Sequence, residues 1–324
     1  LIPEMRRHYF LDEYCIIAAE RGKRPSDFKH GGPEGRSDPK TCPFCPGNEE
    51  LTPPAVAVYT DDGVCADGEE RVKNWWARSF LNLYPATAPD PKPPTKEWVA
   101  DYARGFHEVI VESPDHESQP SRFSRRDLER LVSVYTDRYR SRIRETSVEY
   151  VSIFKNWGRV AGASLSHTHS QLIALPIVPP ILKREVNAIA SAPRCPYCSL
   201  VEREASSERL IFENDRFVLI APFSSQVPYE TWILPIDHSS SLDRLDQAGS
   251  RDLAQLLGEA LRRLDRLLGG PPYNYTIHQL PDPRYHLNIR IQPALSTMAG
   301  FEKNTGIFIN TVAPEDAAKE LRDA

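Results

Sequence analysis

The stretch His167-Thr168-His169-Ser170-Gln171 sets two imidazoles and a carboxamide at alternate positions, directly before the apolar run Leu172 to Leu175. On a strand, residues i and i+2 face the same side. His167, His169 and Gln171 are therefore expected to converge on one site. Just upstream lie Phe154-Lys155-Asn156-Trp157-Gly158 and Gly162-Ala163-Ser164, which add a cation, an amide and a hydroxyl. A basic loop followed by a rigid strand with two histidines suits phosphate chemistry, through a bound metal or through a nucleophilic imidazole. The motif alone leaves that choice open.

The cysteines narrow it. Four of the six form two C-P-aromatic-C pairs, Cys42-Pro43-Phe44-Cys45 and Cys195-Pro196-Tyr197-Cys198. Paired C-x-x-C without a secretion signal points to zinc more readily than to disulfides. Structural zinc takes four ligands, commonly Cys2His2. The first half offers Cys42, Cys45, His107 and His167; the second offers Cys195, Cys198, His238 and His286. Cys15 and Cys65 have no partner in spacing and read as ordinary thiols.

Where the chemistry should lie, the halves differ. His167-Thr168-His169 has its counterpart in His286-Leu287-Asn288. With His167 and His286 assigned to metal, His169 is left free as a nucleophile, and Asn288 cannot act as one. The first half is thus the catalytic candidate. A neutral imidazole attacks phosphorus and leaves again, splitting one nucleotidyl transfer into two displacements. Gln171, on the same face, would hydrogen-bond a phosphoryl oxygen as charge develops. Lys155, Arg21 and Arg24 are available to neutralise phosphates.

These groups need a scaffold, and the chain repeats one. Each half reads Cys-x-x-Cys, strand with histidine, helix, strand, strand with histidine. The first half has strands at Phe106–Val111 and Tyr150–Phe154, with a helix capped by Ser124 that carries Leu128, Leu131, Tyr135 and Tyr139 on one face. The second has strands at 210–212, 217–220, 231–234 and 273–277. Its leucine-striped helix, from Leu253 to Leu268, stops at Gly269-Gly270. A final strand is expected over Tyr285–Arg290. Strands with hairpin-like spacing and few helices imply an α+β fold, mainly antiparallel, with flanking helices. The expected division is 1–180 and 181–324, with Pro179 to Arg194 as the linker and the proline-rich Ala86–Thr95 as a surface excursion.

Composition sets the outer bounds. Forty Lys+Arg against 45 Asp+Glu give a net charge of −5, so no global basic field argues for nucleic acid. No apolar run is long enough for a membrane span, and the start lacks a signal-peptide core. The expectation is a cytoplasmic protein with no nucleic-acid or membrane partner.

At these residues the chain resembles the galactose-1-phosphate uridylyltransferase family of the histidine-triad superfamily. The resemblance runs over nearly the whole chain. It rests on Glu20-Arg21-Gly22-Lys23-Arg24-Pro25, Cys42 to Gly47, Asn82-Leu83-Tyr84-Pro85-Ala86, Gly105 to Glu108, Gly162 to His167, Gly300-Phe301-Glu302 and Pro314-Glu315. It implies two tandem histidine-triad-like halves, the second degenerate, and a double displacement with His169 as nucleophile. His167 would be a zinc ligand and Gln171 the partner of the transferred phosphate. Asn82, Asn156 and Ser164 match nucleotide or phosphate contacts. Arg21 and Arg24 match a motif that reaches nucleotide across a homodimer interface, and Phe301 and Glu302 match a hexose-binding segment. The family's usual His-Pro-His-Gly-Gln is here altered at Thr168 and Ser170, and a glutamine usual after Glu302 is missing. Those departures resemble the ADP-glucose phosphorylase branch.

The leading expectation is uridylyl transfer from UDP-glucose to galactose 1-phosphate, with two zinc ions, a nucleotide sugar and a hexose 1-phosphate as partners. The alternatives are ADP-glucose phosphorylase and a non-enzymatic zinc-stapled nucleotide-binding module. The latter would have no reason to keep His169 opposite Asn288.

Overall fold

The computed structural model describes residues 3–19, 38–90 and 103–324. Its strands are β1 (Glu4–Arg7), β2 (Tyr14–Ile17), β3 (Ala55–Thr60), β4 (Gly63–Cys65), β5 (Ala77–Leu81), β6 (Phe106–Val111), β7 (Tyr150–Trp157), β8 (His169–Leu175), β9 (Leu210–Glu213), β10 (Phe217–Ile220), β11 (Thr231–Pro235), β12 (Tyr273–His278), β13 (Asn288–Pro293) and β14 (Phe308–Asn310). The helices are α1 (Arg125–Ile143), α2 (Pro180–Ser191), α3 (Pro196–Glu204), α4 (Gln247–Leu268), α5 (Gly300–Thr305) and α6 (Pro314–Asp323).

Eleven strands form one sheet in the order β4-β3-β5-β6-β8-β7-β12-β13-β11-β10-β9, and its ladders are antiparallel. A small second sheet is β1-β2-β14. The expected α+β, mainly antiparallel architecture with flanking helices is therefore present. β7 pairs with β12 in the middle of the sheet, with Tyr275 opposite Lys155 and Asn274 opposite Asn156. Outward from that pair the order is β8, β6, β5, β3, β4 on one side and β13, β11, β10, β9 on the other.

Strand alternation assigns the two faces. Ile110, Val151, Ile153, Leu172 and Ala174 join the buried cluster under α1 and α4. Their neighbours Val109 and Val111 instead pack with Cys42, Phe44 and Cys45 on the opposite face. α1 begins at Ser124, whose side chain accepts from the Asp127 N–H while Asp127 reciprocates, a capping box. α4 ends at Gly269 with φ 69°, the left-handed stop its sequence predicts. The two helices cross closely where α4 presents Gly258, since a Cβ there would come within 2.5 Å of Leu128.

Two expectations need correction. The segment from Pro179 to Arg194 is largely a docked helix, α2, whose Leu182, Glu185 and Ile189 form a buried face. Their i, i+3, i+7 spacing is helical; Lys183 and Arg184 lie on the exposed face, and the buried Glu185 is paired with Arg290. The last strand starts at Asn288 and not at Tyr285, so His286 precedes β13 just as His167 precedes β8. The run Ala86–Thr95 lies only partly within the described residues. Within the described residues, no helix is long and apolar enough to cross a membrane.

Candidate active site and metal centres

Val111 lies opposite His169, Val109 opposite Gln171 and His107 opposite Ile173. His169, Gln171 and His107 thus share the face turned away from α1. His169 is buried, and its Nδ1 lies 2.8 Å from the His167 carbonyl oxygen. That acceptor places the proton on Nδ1 and leaves the Nε2 lone pair free. The Phe44 ring meets the imidazole edge-on at 5.2 Å. Burial, together with the charge of Lys155, pushes the His169 pKa down to about 4, so the ring is neutral near pH 7.

Gln171 is fixed by His107, a residue expected from its place in the chain among the metal ligands. His107 Nδ1 accepts the Ala86 N–H at 3.0 Å, so its proton resides on Nε2. That N–H donates to Gln171 Oε1 at 2.9 Å. With its oxygen engaged, the Gln171 amide has its N–H2 group to offer a phosphoryl oxygen. Asn82 stands beside the same histidine, its Nδ2 3.2 Å from His107 Nε2, and its Oδ1 accepts the Tyr84 N–H.

His107 therefore does not join the first cysteine pair; His116 does. The ligand atoms of Cys42, Cys45, His116 and His167 all lie within 4.8 Å of one another, and all four residues are buried. The reason is the length of β6. The thiolates lie at the Val111–His169 end of the ladder, while His107 sits four residues away, about 13 Å along a strand. The chain then turns back and delivers His116. A signal for this exists in the sequence: an Asp-His dipeptide follows β6 as Asp115-His116 and follows β11 as Asp237-His238.

The second cluster is the expected one, Cys195, Cys198, His238 and His286. In both clusters the donors suit a tetrahedral ion. Zn–S and Zn–N bond lengths imply an S···N edge of about 3.6 Å. The Nδ1 atoms lie 3.6 Å (Cys42–His167), 3.2 Å (Cys45–His116) and 3.6 Å (Cys45–His167) from the sulfurs in the first cluster. In the second they lie 3.8 Å (Cys195–His286), 3.4 Å (Cys198–His238) and 3.6 Å (Cys198–His286) away. The far nitrogens are engaged in turn: His167 Nε2 with the Ser113 carbonyl, His238 Nε2 with that of Pro283, and His286 Nε2 with that of Pro235. Such outer contacts hold Nδ1 as the ligand atom. Burial and the adjacent Cys42 push the Cys45 thiol up to about 12; a thiolate there needs a cation beside it.

The remaining expected contacts divide. Asn156 lies on β7 in the position facing His169, and its Oδ1 accepts from Asn274 Nδ2 at 2.8 Å. Ser164 is exposed in the loop between β7 and β8. Phe301 and Glu302 lie on α5. Phe301 is exposed, and Glu302 accepts the Ala299 N–H at the start of that helix. Arg21 and Arg24 lie outside the described residues. Lys155, expected to meet phosphates, points to the opposite face and is fully buried against Glu112 at 2.5 Å.

The counterpart region in the second half is occupied by protein. Asn288 Nδ2 donates to the His286 carbonyl at 3.1 Å, the same i to i−2 contact that His169 makes. Its Oδ1 accepts from Arg290 Nε, and Arg290 Nη2 donates to Glu185 of α2 at 2.7 Å.

Fold and site together describe an antiparallel α+β protein with two Cys2His2 clusters and, beside the first, a buried, neutral His169 next to Gln171. Comparison with known proteins gives that class a family. The model for the galactose-1-phosphate uridyl transferase N-terminal domain matches residues 2–179, and a domain of unknown function, DUF4921, matches residues 121–324. The chain is 35% identical to an ADP-glucose phosphorylase of Arabidopsis thaliana, over 99% of this chain and 93% of that one. It is 29% identical to a galactose-1-phosphate uridylyltransferase of Thermotoga maritima, over 99% and 98%. A crystal structure of an Arabidopsis thaliana ADP-glucose phosphorylase with bound ADP-glucose superposes with a TM-score of 0.83 at 33% identity, covering 99% of each chain. The chain belongs to the galactose-1-phosphate uridyl transferase family of nucleotidyltransferases.

Proposed function

We propose that this protein transfers an adenylyl group from ADP-glucose to inorganic phosphate through a covalent intermediate on His169. The lone pair of His169 Nε2 attacks the α-phosphorus, an N–P bond forms and the P–O bond to glucose 1-phosphate breaks. A phosphate oxygen then attacks the same phosphorus, the N–P bond breaks, and ADP leaves with the histidine restored. The observation that carries the reading is the pairing of a neutral, Nδ1-anchored His169 with a Gln171 amide whose oxygen is already held by His107. Nucleophile and oxyanion donor are both oriented before substrate arrives.

The choice of adenylate is supported by the 35% identity to an ADP-glucose phosphorylase and by Thr168 and Ser170 within the histidine motif. The second reading, uridylyl transfer from UDP-glucose to galactose 1-phosphate, is favoured by the end-to-end match to the Thermotoga maritima enzyme. In either case Asn82, Asn156 and Ser164 would contact the nucleotide or its phosphates, and Phe301 and Glu302 the hexose. The second half serves as a degenerate histidine-triad-like counterpart of the first. The sheet order, with four strands on each side of the β7–β12 pair and β4 added at one edge, supports that division. Zinc in both Cys/His clusters would brace the loops that carry His167 and His286.

The test is intact-protein mass spectrometry after incubation with ADP-glucose or UDP-glucose alone. An adenylyl adduct that is lost in His169→Gly, and discharged by phosphate as ADP, is the expected result. A uridylyl adduct alone selects the second reading, and no adduct with either substrate overturns both.

A further inference from the structure

Directly behind His169, on the α1 face of the sheet, lies a buried polar cluster outside both Cys/His clusters. Lys155 Nζ makes three hydrogen bonds: to Glu112 Oε2 at 2.5 Å, to Thr168 Oγ1 at 2.9 Å and to the His169 carbonyl at 2.9 Å. Thr168 Oγ1 in turn donates to Glu112 Oε2 at 2.5 Å, and Tyr135 donates to Glu112 Oε1 at 2.8 Å. Tyr275 of β12 closes the cluster through the Tyr135 hydroxyl. Each ammonium proton has an acceptor, and the threonine hydroxyl donates once and accepts once. A fully satisfied buried network holds one geometry.

Its position gives that geometry a use. Thr168 stands between the carbonyl of His167, which orients the nucleophile's ring, and His169 itself, whose carbonyl Lys155 holds. His167, His169 and Gln171 face the other side of the sheet, whereas Ser170 shares the side of Thr168. We infer that the Thr168 hydroxyl, bridging Lys155 and Glu112, is the positioning device that aims His169 Nε2 at the α-phosphorus. The inference rests on His169 being the nucleophile, as proposed above. Proline, the family's usual residue at this point, has no hydroxyl and cannot make this bridge.

The experiment follows single-turnover formation of the nucleotidyl adduct at saturating nucleotide sugar, together with the half-saturating concentration, zinc content and melting temperature. Thr168→Val keeps the shape and removes the bridge; it should slow adduct formation by roughly ten- to hundredfold, with half-saturation and zinc content unchanged. Thr168→Ser should restore the rate to within about threefold, since the hydroxyl returns. Adduct formation by Thr168→Val at the wild-type rate overturns the inference, as does a rate that stays low in Thr168→Ser. If Thr168→Val does not accumulate as folded protein, Tyr135→Phe takes its place, because it removes a donor from the same carboxylate at a distance from the metal loop. It should slow the same step several-fold with zinc retained, and an unchanged rate there is equally fatal. A wild-type protein that forms no adduct refutes the proposed function instead, so the two failures are distinct.

Discussion

His116→Ala and His107→Ala make opposite demands on the first metal centre. In this structure His116 Nδ1 is 3.2 Å from Cys45 Sγ, while His107 spends both ring nitrogens on Ala86 and Gln171. Structural zinc contributes ~10–16 kcal/mol in small zinc-dependent folds. Shared over four ligands, the loss of one removes about 3–4 kcal/mol, or about 10²–10³-fold in affinity. The assay is zinc per chain, measured by plasma mass spectrometry after equilibration with a graded series of chelators. Wild-type protein should retain zinc at both clusters. His116→Ala should surrender one ion at chelator strengths about 10²–10³-fold weaker, keeping the ion held by Cys195, Cys198, His238 and His286. His107→Ala should match wild type at every point. An ion lost from His107→Ala and kept by His116→Ala would refute the assignment and the strand-length argument behind it.

Three further outcomes follow from the same contacts. His107→Ala should instead act on turnover, lowering kcat by about tenfold for the loss of about one oriented hydrogen bond with little change in KM; steady-state kinetics decide it, and a pure KM effect would remove His107 from the positioning of Gln171. Glu108→Ala should destabilise the fold by about 3–5 kcal/mol in chemical denaturation, because it leaves Arg138 and Arg142 buried without their shared carboxylate; a loss below about 1 kcal/mol would contradict that. Glu185, though pushed upward by burial, is held down to about 2 by Arg290 and by the hydrogen bonds it accepts from Tyr285 and Arg290. Its pKa is depressed on folding, so its contribution is complete above about pH 4.5 and is lost as pH falls toward about 2. Glu185→Gln should flatten that part of the stability–pH curve, and an unchanged acid limb would deny Glu185 this role.

Much of this was legible from residue order. The Ser124 cap of α1, the leucine stripe and glycine stop of α4, the limits of β6 and the second cysteine cluster all follow from local signals. Those signals act within one element, where periodicity and capping dominate. The errors arose where two elements had to be combined. Lys155 and Asn156 are adjacent in sequence, yet Asn156 faces the site and Lys155 faces α1, because the β7–β8 register sets Phe154 opposite Gln171. One residue of register decides which face receives the cation. His107 failed for a related reason: histidine type and half were right, but its level along the ladder was wrong.

The same two-faced geometry explains how a cation as buried as Lys155 remains compatible with a neutral His169. On the substrate side, His169 meets Phe44 and its own backbone, a setting that favours the uncharged ring. On the helix side, Lys155 is neutralised by Glu112, whose carboxylate is held below the usual range because the charge and hydrogen bonds around it outweigh its burial. Were Lys155 on the site face, it would hold incoming phosphate but also depress the imidazole's basicity without a compensating anion. Placing the pair behind the strand leaves its charge internally balanced and gives its hydrogen bonds to the backbone of the motif. We propose that charge for the phosphates comes from Arg21 and Arg24, which lie outside the described residues. A double substitution of Arg21 and Arg24 to Gln should raise KM for the nucleotide sugar by about tenfold or more while leaving the His169 adduct chemically competent. Unchanged KM would mean that the sheet face alone carries the phosphate.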